Sequence, residues 1–444
     1  MESWLDSENE RRSFHFFLTH AGIKLGGYFP TPFWSREVLQ AAIHYPAIRH
    51  LVVALGSAYE QFEARQMDQK SMQFALQQSN QSIRHLTHAS SANLVKQSIE
   101  TSSALITASL LFTVLSSIQG HMGEAMDHIL SGLRMLQNLE QDQINLDDCS
   151  SISSGSSRGS PPASSYPVSL ARLRSLLTSL YLQCRVMLSD ADLKSWHKDP
   201  LVTEIEFPTS FASLIDAQDH VEALFGNQLT FFQDTASRYP LSDEESIEVL
   251  ARQDTLLYAL DCSRTALDAF VARQPLDCDP ADESAIKVLR LYHLYLGIRL
   301  GVGILRDDAR EFAFDEFETH FEDMLAYCKD LLGDGEPLQP TCSSGLGVVI
   351  PLHMIGHRCR NPLIRQEAVD LLLVASRREG LWDSTIIGRI AATTSRLEQD
   401  EEMMKQWRVR EVKTQFMSDR RARLVFITGD SASNQRRYYR EIDW

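Results

Sequence analysis

The densest run of chemically capable groups in the chain is His353-Met-Ile-Gly-His357-Arg-Cys359. On a helix the two imidazoles stand one turn apart and the thiol follows two residues on, the spacing of one edge of a metal site. Closing the site takes further donors, and none lies at ligand spacing, so the reading is satisfied histidines and no metal. His121 and His128 fall on nearly one helical face, and His293 interrupts an apolar stripe beside Tyr292 and Tyr295. In an apolar pocket His121, His128 and His293 would serve as general acid and base, because burial and neighbours move their pKa values. The competing expectation is a core or groove histidine with one hydrogen-bond partner. Trp34, His50, Tyr292, Tyr295, His357 and Trp382 are the candidates for lining such a pocket, although large aromatics more often anchor a core.

Phosphate-binding, dinucleotide-binding, zinc-protease and nucleophile-elbow signatures are missing from the sequence. An enzyme built on this chain would therefore need no cofactor, working through pocket shape and a few polar groups. The net charge of −16 opposes direct attraction to nucleic acid. The seven cysteines are scattered singly, the pattern of reduced thiols in an intracellular protein, nuclear or cytoplasmic. The start MESWLDSENERR is not a signal peptide, and the most apolar windows, 104–115 and 346–355, fall short of the roughly 18 residues that a membrane span needs.

Helical periodicity dominates the elements that would position these groups. Pro46 suits a first helical turn, and Ile48, Leu51, Val52, Leu55, Tyr59 and Phe62 then form one stripe. A Gln-rich helix over 67–86 should mostly face solvent. Residues 104–115 and the helix after Gly120 form a helical hairpin. The Ser/Gly/Pro-rich stretch 142–168 has little to bury and reads as a flexible loop. Further helices are expected over 170–188, up to Phe225, over 243–273, 281–305, 314–332, 369–376 and 386–407, the fourth of these opened by Asp279-Pro280. Residues 423–428 are rich in β-formers and suit a short hairpin with 437–443. In Arg377-Arg378-Glu379-Gly380-Leu381-Trp382-Asp383 the arginines are expected to cap the preceding helix and Asp383 the following one.

Several of these segments together resemble the regulatory region of fungal binuclear zinc-cluster (Zn2Cys6) transcription factors. The resemblance is carried by Phe33-Trp34, Val38-Leu39-Gln40, Ile48-Arg49-His50 with Ala54-Leu55-Gly56, the Gly120 to Leu136 hairpin, Cys359 to Arg365, and most clearly Arg377 to Asp383. It implies an all-α, repeat-like body of helical hairpins, with Phe33, Arg49, Gly56, Gly120, Arg378, Glu379, Gly380 and Asp383 as structural positions. The expected organisation is an N-terminal segment (1–13), a helical half (14–141), the loop (142–168) and a second half (169–444) packed with the first. The family's DNA-binding head needs six closely spaced cysteines, and none precedes Cys149 here, so DNA contact is not implied. Two functions stay open. One is a transcription-regulator-like protein acting through protein partners, as a homodimer, or by sensing a small apolar ligand. The other is a cofactor-free cyclase or isomerase of specialised metabolism using a hydrophobic pocket. Neither places the chain on nucleic acid directly or in a membrane.

Overall fold

The computed structural model describes residues 5–29, 31–65, 68–92, 99–151, 166–187, 204–238, 240–274, 279–303, 308–333, 339–399, 408–418, 421–428 and 436–443. The chain is predominantly helical, with short strands towards its C-terminus. It divides into two compact units, Met1–Tyr181 with Pro340–Gly345, and Leu182–Gln339 with Leu346–Trp444.

In the first unit α1 (Glu8–Phe16) runs through a π-helical turn (Phe17–Ala21) into α2 (Gly22–Leu25), and a second π-turn (Phe33–Glu37) leads into α3 (Val38–His44). Ser7 and Glu10 form a capping box at the start of α1, satisfying backbone donors from both sides. Next come α4 (Pro46–Ala64), α5 (Gln69–Ala92), α6 (Ile99–Gln119), α7 (Met122–Ser151) and α8 (Leu170–Met187), whose last residues belong to the second unit. Pro46 does occupy the first turn of α4. The helix is not one-sided, however: it packs against α1, α3, α5 and α6, and its residues from Ala47 to Tyr59 are almost all buried. Gly56 is the contact point with α1, since a Cβ there would sit 2.1 Å from the Ser13 carbonyl oxygen.

Arg49 donates to the carbonyls of Ala42 and Ile43, capping the end of α3. A strand from far along the chain, β1 (Thr341–Ser343), completes this unit. The Tyr59 hydroxyl bonds both backbone groups of Cys342, each at 3.0 Å, and the Trp34 indole donates to Ser344 Oγ at 2.9 Å.

Two expectations change here. Helix α7 continues to Ser151, into the stretch read as a loop, while 152–165 lies outside the described residues. Helix α6 is, by length and composition, apolar enough to cross a membrane, because its Ser and Thr residues extend the shorter apolar run; 83% of its most apolar window is buried within the protein. Thr107 and Thr113 return their hydroxyls to carbonyls one turn back, which makes those residues compatible with a core helix.

The second unit comprises α9 (Leu214–Arg238), α10 (Asp243–Val271), α11 (Pro280–Val302), α12 (Asp308–Ala313), a 3₁₀ turn (Phe314–Phe317), α13 (Glu318–Leu332), α14 (Val349–Arg358), α15 (Pro362–Ala375) and α16 (Ser384–Glu398). Asp279 caps α11 through the Ala281 N–H, with Pro280 in the first turn. Strands β2 (Arg377–Glu379) and β3 (Trp382–Asp383) form a tight antiparallel hairpin around Gly380, whose φ is +56°. The C-terminal sheet is a meander of β4 (Val409–Ser418), β5 (Arg421–Thr428) and β6 (Arg436–Asp443). The expected pairing of 423–428 with 437–443 is present, and β4 is an added partner on the other edge of β5.

Replacing Gly56 with Ala should destabilise the first unit by about 3 kcal/mol, because a backbone carbonyl rather than a flexible side chain must give way. An unchanged urea midpoint for this variant would contradict the described α1–α4 crossing.

Candidate functional site

A cleft of about 940 Å³ opens between α10, α11 and α13 in the second unit. Its wall is built at repeated helical spacing: Leu257, Leu260, Arg264 and Leu267 from α10, Arg290, His293, Leu294 and Gly297 from α11, and His320, Asp323, Tyr327 and Asp330 from α13. Spacings of three and four place such residues on one face of each helix, so three faces meet at the cleft.

His293 is the buried polar group of this wall. Its Nε2 lies 2.9 Å from Ser263 Oγ, and its Nδ1 is buried with no hydrogen-bond partner. Burial is the main cause that pushes its pKa down to about 3, with His220, Arg264 and Arg290 adding to the effect. The imidazole is therefore neutral near pH 7. One ring nitrogen engages Ser263, leaving the other open as a donor or acceptor according to the tautomer. At the rim Arg264 pairs with Asp261, Arg290 with Asp268 at 3.1 Å, and Lys287 with Asp330 at 2.6 Å. These pairs spend the cations on protein carboxylates. The cleft thus offers apolar walls, one unmet polar atom and no surplus of positive charge.

The other candidate residues occupy different surroundings. In the first unit His121 lies 3.6 Å from Glu124, while the His128 ring stacks on Phe112 at 5.1 Å with its pKa lowered by burial. His50 is tied into a polar chain: its Nδ1 lies 2.6 Å from Gln78 Oε1, and Gln78 donates to Glu10 at 2.9 Å. Trp34 packs edge-on against Phe33.

In the second unit Tyr292 and Tyr295 form an aromatic cluster with Phe225. His353 and His357 stack at 5.6 Å on α14, and His353 also meets Trp382 at 5.3 Å. Burial drives the pKa of His353 to about 4 and that of His357 well below its usual value. Among the described residues no group of three or more His, Cys, Asp or Glu is placed to hold a metal ion. Of the sequence candidates, only His293 lines the 940 Å³ cleft. His121 and His128, both in the first unit, are not among the residues lining that cleft.

In the Arg377 to Asp383 segment, Asp383 caps α16 through the N–H groups of Thr385 and Ile386. Arg377 pairs with Glu379 and Arg378 with Asp383, so the hairpin turns both arginines onto the motif's own carboxylates. The contributors that sequence reasoning missed are Arg264, Arg290, His320, Asp323 and Tyr327. Their signal was available as polar residues recurring at three- and four-residue spacing on otherwise apolar helices.

No protein-family model matches the chain. No solved structure matches it either. Compared with known proteins, the chain is similar to the aspercryptin biosynthesis cluster-specific transcription regulator atnN of Emericella nidulans, with 22% identity over 491 aligned residues covering 88% of this chain and 74% of that protein. The similarity is thus to a fungal transcription regulator.

The buried neutral histidines set a pH dependence. Each binds a proton in the unfolded chain below about pH 6.5 but resists it when folded, so stability is full above that pH and falls as pH drops towards the folded values. His293 alone should cost about 2 kcal/mol at pH 5. The variant His293→Leu should therefore lose about 2 kcal/mol less than wild type between about pH 7 and pH 5 in urea denaturation. Equal losses would contradict a buried neutral His293.

Proposed function

We propose that the chain is the regulatory body of a fungal transcription regulator for a specialised-metabolism gene cluster. It works in the nucleus through partner proteins, and a small, largely apolar ligand in the His293 cleft sets its output. The observation that carries the regulator reading is the similarity spanning 88% of the chain to a cluster-specific regulator. The resemblance of Phe33 to Gly56 and Arg377 to Asp383 to the regulatory region of zinc-cluster factors supports the same reading. The net charge of −16 favours action through partners over direct contact with phosphates.

Ligand sensing is supported by the cleft itself. A molecule that fills its apolar walls gains burial, and one polar group meeting His293 Nδ1 removes an unmet hydrogen bond. Such a ligand shifts an equilibrium only to the extent that it prefers one arrangement of α10, α11 and α13 over another.

Fusing the whole chain to a heterologous DNA-binding domain tests the proposal in a fungal reporter strain. Reporter transcription should depart from that of the domain alone. Gly297→Leu should fill the cleft, since the first added carbon makes an ordinary 3.7 Å contact with Leu260. It should change reporter output by about fivefold or more, the lower end of ordinary allosteric coupling, without altering thermal stability. A fusion indistinguishable from the DNA-binding domain alone would overturn the regulator reading. A responsive fusion that is indifferent to Gly297→Leu would overturn the assignment of the cleft.

A further inference from the structure

A second cleft, of about 510 Å³, lies where the 3₁₀ turn and α13 meet the Cys359–Leu363 connection between α14 and α15. Phe314, Phe321 and Leu363 give it apolar walls, and Arg360 stands among its polar lining. Arg360 Nη1 is paired with Glu398. Its Nε and Nη2 are buried and bonded to nothing. Those two nitrogens share one edge of the guanidinium, the edge whose parallel N–H groups take a planar oxyanion side-on.

Leaving that edge unmet is costly, because a buried charged donor has lost water without replacing it. The nearby carboxylates are already committed. Glu398 accepts from Arg360, from Arg365 at 2.7 Å and from the Val409 N–H at 2.9 Å. Glu311 is held by Arg358, and Asp315 takes both Nη groups of Arg408 at 2.9 and 2.7 Å. Glu318, which also lines the cleft, accepts from the Asn361 amide at 2.9 Å. Burial, with Arg365, Arg408 and Arg358 nearby, pushes the Arg360 guanidinium down to about 10 in spite of Glu398. It stays charged at neutral pH, and its unmet edge is what an added oxyanion would satisfy.

We propose that this cleft binds an apolar carboxylic acid, its carboxylate bridging Nε and Nη2 of Arg360 and its hydrocarbon or aryl body lying against Phe314, Phe321 and Leu363. The carboxylate makes the two missing hydrogen bonds, and the body covers the exposed side chain of Leu363. The site is separate in residues from the His293 cleft, so it stands or falls independently of the proposed function.

Calorimetric titration of the full chain with decanoate and with phenylacetate, each beside its uncharged amide, tests this. At least one acid should bind with one saturable site at about 1 mM or tighter, as expected for ligands of this size, and the amides should bind at least about tenfold more weakly. Arg360→Lys keeps the charge and removes the fork, and should abolish saturable binding. Should that variant not fold, Leu363→Asp supplies a second arm. Leu363 is 79% exposed, so the change spares the core while placing a negative charge at the mouth. Losing the Leu363 contact should weaken acid and amide alike, and the added charge should weaken the acid about tenfold more than the amide at low salt. Absence of saturable acid binding, equal binding of acid and amide, or acid affinity unmoved by Leu363→Asp would each overturn the assignment.

Discussion

The buried carboxylate of Glu379 fixes the register of much of the second unit. It accepts the N–H groups of Val348 and Val349 at 3.1 and 2.7 Å and takes the Arg377 guanidinium at 3.1 Å. The first turn of α14 thereby gains an anionic cap, favourable for both its orphan donors and its dipole. The fit leaves no room for a side chain at residue 347, where a Cβ would come within 2.2 Å of the carboxylate. From this point the β2–β3 hairpin folds back at Gly380, where a Cβ would meet Gln183 Oε1 at 2.1 Å. The Trp382 indole donates to the Gln183 carbonyl at 3.1 Å, and Asp383 opens α16. One carboxylate thus sets where α14 begins, and the hairpin it anchors sets where α16 begins.

The smaller cleft of the second unit is framed by elements held in this way. α14 ends at Arg358, one residue before the Cys359–Arg360 connection, and α16 ends in Glu398, which grips Arg360 and Arg365 together. α11 supplies His293 to the larger cleft and, one residue earlier, buries Tyr292 in the aromatic cluster. The chemistry suits recognition. The buried histidines of this unit are held neutral by desolvation, while Arg360 is paired with Glu398 and keeps one edge unmet. Groups arranged in this manner offer hydrogen bonds and apolar surface to a ligand, the ordinary means of selecting one molecule over another.

Local signals carried most of the helical fold. Asp279-Pro280 starts α11 and Asp383 starts α16, because caps are chemistry between residues a few positions apart. The strand over 421–428 was readable from its β-formers, whereas β4, just after the region read as helix to Trp407, needed β5 beside it to become a strand. α4 was read as a one-sided helix and is buried all round, since its outer face is covered by helices whose placement no local pattern encodes. The same limit governs the sites. His293 was visible as a polar break in an apolar stripe. The cleft around it was not, because its walls come from three helices distant in sequence. Arg360 stood out only as a member of a motif; its unmet edge follows from tertiary packing, in which Glu398, well downstream, takes Nη1 and divides its remaining capacity between Arg365 and the Val409 N–H.

A helical scaffold that controls transcription through what its clefts recognise must leave its mark on transcripts when it is lost. Deleting the gene in the organism that encodes it, followed by paired transcript and metabolite profiling, should show a coordinated change in the transcripts of a contiguous set of biosynthetic genes, with loss or gain of their final product. Unchanged transcripts together with accumulation of a single precursor would contradict control of transcription, and would mark the chain as a catalyst.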